Sequence, residues 1–131
     1  MTESAWTADE LDRIGAAEEL TNAPRRTDGT LLRARPIWVV RVGDQLYVRS
    51  WRRADGSWFQ TGQRSGEGHI SAGGVERDIA YVPAADVVND AVDAAYRDKY
   101  GRYPSYVTPM VSAQARATTL AILPTGPGDG R

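Results

Sequence analysis

Hydrophobic and polar positions alternate along the chain in two rhythms, and the switches between them divide it into elements. Trp6 precedes Thr7-Ala8-Asp9-Glu10, a capping-box pattern, with Leu11 at the matching staple position. Leu11 and Ile14 share a face, so the spacing predicts a short amphipathic helix from Ala8 to about Ala17, a lid or brace for the rest. Its first-turn acids, Asp9 and Glu10, suit the helix dipole. A short strand is expected from Leu20 to Pro24.

The rhythm then becomes that of strands. "RARPIWVVRV" and "QLYVRSW" flank the turn pair Gly43-Asp44, and "HISA" and "VERDIAYV" flank Gly73-Gly74, which predicts two hairpins. Alternation places Leu46, Val48 and Ser50 on one face, and Tyr47, Arg49 and Trp51 on the other. Val75, Ile79 and Tyr81 share a face that Arg77 interrupts. In the first hairpin, Ile37 and Val39 alternate with Trp38, Val40 and Val42, so that strand is apolar on both faces. One face fits a barrel interior; the other needs cover, and a homodimer would supply it.

Ser57 is placed to cap a one- or two-turn helix beginning at Trp58. The strongest helical pattern runs from Asp86 to Tyr100. Its stripe is Val88, Ala91, Val92, Ala95 and Tyr96, with Arg97 and Lys99 in the last turn and Gly101 at C′. "RYPSYVTPM" reads as a loop stiffened by Pro104 and Pro109. "TTLAIL", ended by Pro124, reads as the last strand. The expected organisation is one domain, residues 1–124, with a glycine- and proline-rich disordered tail at 125–131. Strands joined mostly as hairpins suggest a mainly β (α+β) fold, a small antiparallel barrel or curled sheet with peripheral helices.

Composition narrows the chemistry. The chain of 131 residues has no cysteine, so disulfides, thiolate catalysis and cysteine-based zinc sites are excluded. One histidine cannot build a multi-histidine metal site, and His69 reads as a satisfied strand residue; no metal is expected. No G-x-S-x-G elbow, Rossmann spacing or Walker lysine is present. No apolar run reaches the ~18 residues of a membrane span, and the N-terminus lacks the pattern of a secretory signal, so a cytoplasmic location is expected.

A net charge of -1 conceals an uneven layout. Nine arginines between 25 and 64 face only Asp28, Asp44 and Asp55, an excess that can attract phosphate or carboxylate. Glu18-Glu19 and the Asp90/Asp93 pair read as solvated charges. The densest stretch is "RSWRRADGSWF", residues 49 to 59, three arginines beside Trp51, Trp58 and Phe59. Arginine forks grip phosphate, helix-start amides bind anions, and indole rings stack on planar groups. Individually, Trp38 and Trp58 fit a core as well.

"TDGTLLRARPIWVVRVGDQLYVRSWRRADGSWF", "GEGHISAGGVERDIAYV" and "YRDKYGRYPSYV" together resemble the domain of unknown function 2255 family over nearly the whole chain. More remotely, the order of elements and the series Ser50, Gly56, Trp58 are similar to split β-barrel flavin- and deazaflavin-binding proteins, the deazaflavin-dependent nitroreductase group among them. The resemblance implies a six-stranded, FMN-binding-like split β-barrel. It implies an isoalloxazine-type ring, FMN or a deazaflavin coenzyme, along the second and third strands, with phosphate near the loop after Ser50. Arg35 before Pro36 matches a basic position of that group, whereas "TDGTLLR" replaces its lysine-serine-glycine phosphate signature. The cofactor contacts so implied are Arg35, Ser50, Trp51, Arg52, Arg53, Gly56 and Trp58, and no catalytic side chain is assigned.

The leading expectation is thus a flavin- or deazaflavin-binding oxidoreductase-type protein acting on a small molecule. Its rivals are a cofactor-free small-molecule binder or enzyme using the barrel mouth, with Tyr96, Tyr100, Tyr103 and Tyr106 around the ligand, and a nucleic-acid-binding barrel. The acids of the first helix and the near-zero net charge disfavour the last.

Overall fold

The computed structural model describes residues 5–51 and 57–125. Helix α1 (Ala8–Ala16) precedes strands β1 (Leu20–Pro24), β2 (Arg35–Ile37), β3 (Val40–Val42) and β4 (Gln45–Val48). Then come helix α2 (Ser57–Ser65), strands β5 (Glu67–Ala72) and β6 (Val75–Pro83), and a 3₁₀ turn at Asp86–Val88. Helices α3 (Asn89–Tyr100), α4 (Pro104–Met110) and α5 (Ala113–Arg116) lead into strand β7 (Leu120–Pro124).

Among the described residues the strands form one antiparallel sheet in the order β2-β1-β5-β6-β7-β4-β3. Its two edge strands, β2 and β3, are separated in sequence only by Trp38 and Val39. Ile37 and Val40 can therefore lie no more than about 11 Å apart, and the sheet must curl until its edges come together. Seven strands replace the expected six because "RARPIWVVRV" is not one strand. It breaks at Trp38-Val39 and serves both ends of the sheet.

Both predicted hairpins form. Val42 faces Gln45 across Gly43-Asp44, and Ala72 faces Val75 across Gly73-Gly74. Gly73 and Gly74 both have positive φ, 58° and 85°, as a two-residue turn of this hand requires.

The inner face of the curl is the main core: Leu20, Val39, Leu46, Val48, Ile70, Ile79, Leu120 and Ile122, closed by Trp6, Leu11 and Ile14 of the α1 region. The capping box at Thr7 forms, and the Trp6 Nε1–H donates to the Ile122 carbonyl at 2.8 Å. Arg77, which interrupts an apolar face, lies under the Trp6 ring and pairs with Glu10 at 2.7 Å. Helix α1 is thus a brace.

A second apolar cluster lies outside the curl. Val40 and Tyr47 meet Val92, Tyr96 and Tyr100 of α3 and Val107 and Met110 of α4, with Trp38 and Val42 against them. The second apolar face of the first hairpin, expected to need a partner subunit, is covered here by the chain's own helices.

Four local readings need correction. "RYPSYVTPM" contains helix α4, because Pro104 sits in its first turn, where no N–H is needed. β7 begins at Leu120 because the hydroxyls of Thr118 and Thr119 bond to Ala115 and Arg116 at the end of α5, a helix with no signal in the reading. Ser57 is the first described residue of α2 and lies within the helix. Gly101 is right-handed (φ -59°), and glycine is needed there for space: a Cβ would meet the Arg97 carbonyl oxygen at 2.5 Å. Of the expected tail, Thr125 donates its N–H to Asp78, and the remainder lies outside the described residues.

Candidate functional site

Arg49 follows directly on β4, and this residue is 1% exposed. Its Nε donates to Thr119 Oγ1 at 2.8 Å, Nη1 to Asp93 Oδ1 at 2.6 Å and the Met110 carbonyl at 2.8 Å, and Nη2 to the Asn89 carbonyl and Oδ1 at 3.3 and 3.1 Å. A guanidinium has five N–H donors, and all five are used. Asp93, read as solvated, is buried to receive it. This also explains why the buried face of α3 is Asn89, Val92, Asp93, Tyr96 and Tyr100, rotated away from Ala91. Arg49 is consequently a structural hub that joins β4, α3, α4 and the approach to β7. It is not a grip for an external anion.

Beside the hub lies a cavity of about 540 Å³. Trp38, Trp51, Trp58, Tyr103 and Tyr106 supply its aromatic wall, with Ile37, Met110, Pro36 and Arg49 also lining it, and Glu18 and Glu19 as its acids. Three of the four tryptophans of the chain converge here. The five rings enter from separate elements: Trp38 from the β2–β3 link, Trp51 from the segment after β4, Trp58 from the first turn of α2, and Tyr103 and Tyr106 from α4 and the residue before it. Trp51, 52% exposed, leans on Tyr106 at a centroid distance of 5.8 Å, making an exposed aromatic pair. Trp38 stacks on buried Tyr100 at 3.8 Å and 5°, and sits 6.1 Å from Tyr103. Trp58 is anchored by Phe59 and Tyr81.

The polar groups around this wall are mostly engaged. The Tyr100 hydroxyl accepts from the Val39 N–H and donates to the Glu18 carbonyl, and burial pushes its pKa up. Tyr96 is buried, its hydroxyl has no partner among the described residues, and burial likewise raises its pKa. Of the four tyrosines considered for ligand contact, Tyr103 and Tyr106 line the cavity and Tyr96 and Tyr100 lie in the packing behind it. Lys99 Nζ donates to the Val39 carbonyl at 2.7 Å, and burial lowers its pKa to about 8. Arg102 pairs with Glu18 at 2.5 Å and lies 4.8 Å over the Tyr103 ring.

The family model described as "Uncharacterized protein conserved in bacteria (DUF2255)" matches residues 10–122. The chain belongs to this family.

No curated protein matches this DUF2255 chain. Solved structures do. A NimC/NimA family protein from Clostridium acetobutylicum is 15% identical, with a TM-score of 0.55 over 88% of this chain and 78% of that one. An FAD and heme binding protein from Mycobacterium smegmatis is 18% identical, with a TM-score of 0.56 over 97% and 71%. An F420 reductase is 12% identical, with a TM-score of 0.51 over 88% and 93%. At such identities the likeness is one of fold.

Of the seven sequence-derived contacts, the structure brings Trp51 and Trp58 together on one cavity. Ser50 lies between Arg49 and Trp51 without lining it; the residue is fully buried, its N–H bonds to Thr118 Oγ1, and its own Oγ has no partner among the described residues. Arg35 is exposed on edge strand β2, next to cavity-lining Pro36 but not itself in the wall. Arg52, Arg53 and Gly56 lie outside the described residues. Sequence reasoning passed over Glu18 and Glu19 as cavity residues and Asp93 as the partner of Arg49. The register of β1 and β2 carries a signal for Glu19, since Leu20 opposes Ile37 and the next position outward on each strand is Glu19 and Trp38.

Three of the nine arginines between 25 and 64 form ion pairs among the described residues of the chain. Arg25 faces Glu67 and Asp78 at 3.9 Å, Arg41 pairs with Asp12 at 2.8 Å, and Arg49 with Asp93. His69 sits between Asp78 and Glu76, so both of its ring nitrogens have partners. Among the described residues no three His, Asp or Glu side chains are arranged to hold one metal ion, and no helix is long and apolar enough to cross a membrane.

Proposed function

We propose that this DUF2255 protein binds a flavin-type ring, flavin or deazaflavin, in the aromatic cavity and acts as an oxidoreductase-type protein on a small molecule. The observation that carries the proposal is the convergence of Trp38, Trp51, Trp58, Tyr103 and Tyr106 on one space of about 540 Å³. That volume lies within the roughly 300–1,000 Å³ of small-molecule sites. A predominantly aromatic wall suits a flat ring. The fold likeness to an FAD and heme binding protein and to an F420 reductase supports the same ligand class.

The residues fit the two halves of such a cofactor unequally. The ring has its walls; Ser50, a ring-side contact by resemblance, is buried behind them and does not line the cavity. The phosphate has no free guanidinium in the described wall, because Arg49 is spent internally. Arg52 and Arg53, with Arg35 further out, are the proposed phosphate contacts, and Gly56 the proposed close approach of the loop. When bound, the ring itself supplies the hydride chemistry, while the chain orients it and excludes water. A homodimer rests on the resemblance alone, since the packing argument for it is met within the chain.

The cofactor-free reading draws on the same gap in phosphate contacts. Titration with FMN, riboflavin and a deazaflavin, followed by tryptophan quenching, separates the two. Quenching with saturation is expected. If none of the three binds, the cofactor-free reading takes its place.

A further inference from the structure

The cavity is chemically lopsided. Its acids, Glu18 and Glu19, lie at the end formed by Trp38 and Tyr103, since Glu19 is the position opposite Trp38 beyond the last β1–β2 pair. The one cation in the described wall, Arg49, has every donor used and its charge matched by Asp93. Glu18 already holds a cation: the Arg102 guanidinium bonds to its carboxylate and lies over the Tyr103 ring. Glu19 is exposed and lines the same aromatic cavity, and among the described residues no ion pair involves it.

A carboxylate beside electron-rich ring faces is the combination that recognises organic ammonium groups. The chain uses it once, on its own Arg102, and leaves the Glu19 carboxylate without a cation in the same aromatic-walled cavity. We infer that the Glu19–Trp38 end of the cavity recognises a small organic cation, an alkylammonium-type substrate, through the Glu19 carboxylate and the indole and phenol faces around it. The inference rests on the reading that this cavity is the ligand site, and it names the charge of the small molecule that would share it with the ring.

The test uses probes of one shape and three charges: choline, 3,3-dimethylbutan-1-ol and 3,3-dimethylbutanoate, titrated into the full chain with tryptophan fluorescence as the readout. Choline is expected to bind at least about tenfold more tightly than the neutral alcohol, and the anion not at all. Glu19→Gln is expected to bring choline down to the level of the alcohol, with the affinity for the neutral alcohol and the thermal midpoint unchanged. Equal affinity for choline and the alcohol, or choline binding unaffected in Glu19→Gln, overturns the inference. Riboflavin binding without choline binding overturns it while leaving the cofactor reading intact. Choline binding without binding of any flavin supports it and overturns the cofactor reading instead. The comparison among the three probes needs no variant, so a folding defect in Glu19→Gln does not blunt it.

Discussion

Arg49 and Asp93 form a buried ion pair, Nη1 to Oδ1 at 2.6 Å, between the end of β4 and the middle of α3. Asn89, Thr119 and the Met110 carbonyl take the remaining donors, so this pair holds two cavity-bearing elements, α4 and the strand leading to Trp51, in fixed relation. Removing Asp93 leaves the Arg49 charge buried and uncompensated, which costs about 3–5 kcal/mol, whereas Asp93 without Arg49 still faces the Arg116 guanidinium at 3.5 Å. Asp93→Asn is therefore expected to lower the urea unfolding free energy by that order, and Arg49→Met by less. Arg49→Lys should not rescue, because an ammonium has three donors and no planar fork. A loss below about 1 kcal/mol in urea would mean that the guanidinium is solvated and that the hub does not exist.

What the sequence made legible was local. The capping box, the two hairpin turns and the α3 pattern each depend on residues within a few positions, where turn chemistry and periodicity act directly. Arg49 looked like one more surface arginine because its partners lie 40 to 70 positions away. The break at Trp38-Val39 was hidden for a related reason. Apolar residues on both faces of one run are compatible with a single strand or with two strands at opposite edges, and only sheet closure decides. Helix α4 is not legible because its prolines, here at the start and near the end of about two turns, are also loop residues. Trp51 and Trp58 stand close together in the sequence and both line the cavity, yet its acids were not legible there, since only the register of β1 and β2 brings Glu19 toward Trp38.

The brace formed by α1 is tied down through Glu10, which accepts from the Thr7 N–H with one oxygen and from Arg77 with the other. Burial raises the Glu10 pKa, but these bonds outweigh it and hold the carboxyl below the usual range. A depressed folded-state pKa contributes stability that is present above the unfolded value of 4.5 and disappears as pH falls through the folded value. Glu10→Gln should therefore flatten part of the acid limb of the stability profile. Thr7→Ala should cost about 0.5–2 kcal/mol at neutral pH. An unchanged urea midpoint for Thr7→Ala would show that the helix end is frayed.

Lys99 supplies a change of opposite kind. Burial of its ammonium lowers the pKa from 10.5 to about 8. Between those values the unfolded chain binds more protons than the folded one, so stability should rise with pH from about 8 toward 10. The buried phenols Tyr81, Tyr96 and Tyr100 have raised pKa values, so their contribution is present below 10 and is lost above it. The profile should accordingly peak near pH 10. Thermal melts of wild type and Lys99→Met across pH 7 to 10 check this, with the rise expected only in wild type. A flat wild-type profile would place the ammonium in solvent.

The ring and the phosphate of the proposed cofactor should respond to different residues. Trp51 is half-exposed and held against Tyr106 at the cavity wall, so Trp51→Ala removes a stacking surface without opening the main core. It should weaken FMN and riboflavin equally, by about 0.5–1.5 kcal/mol beyond the lost contact area. Arg52 and Arg53 follow directly in sequence and are the proposed charge-assisted contacts to phosphate. Their double replacement by Ala should weaken FMN by roughly 2–4 kcal/mol and leave riboflavin, which has no phosphate, nearly unchanged. Folding stability should hardly move if these side chains are solvated without ligand, because exposed charges contribute little to it. Quenching titrations of both variants with both ligands check the division. Equal losses for FMN and riboflavin in the double variant would mean that the loop acts on the ring wall and not on an anion. No loss for either would put the phosphate elsewhere, with Arg35 the next residue to replace.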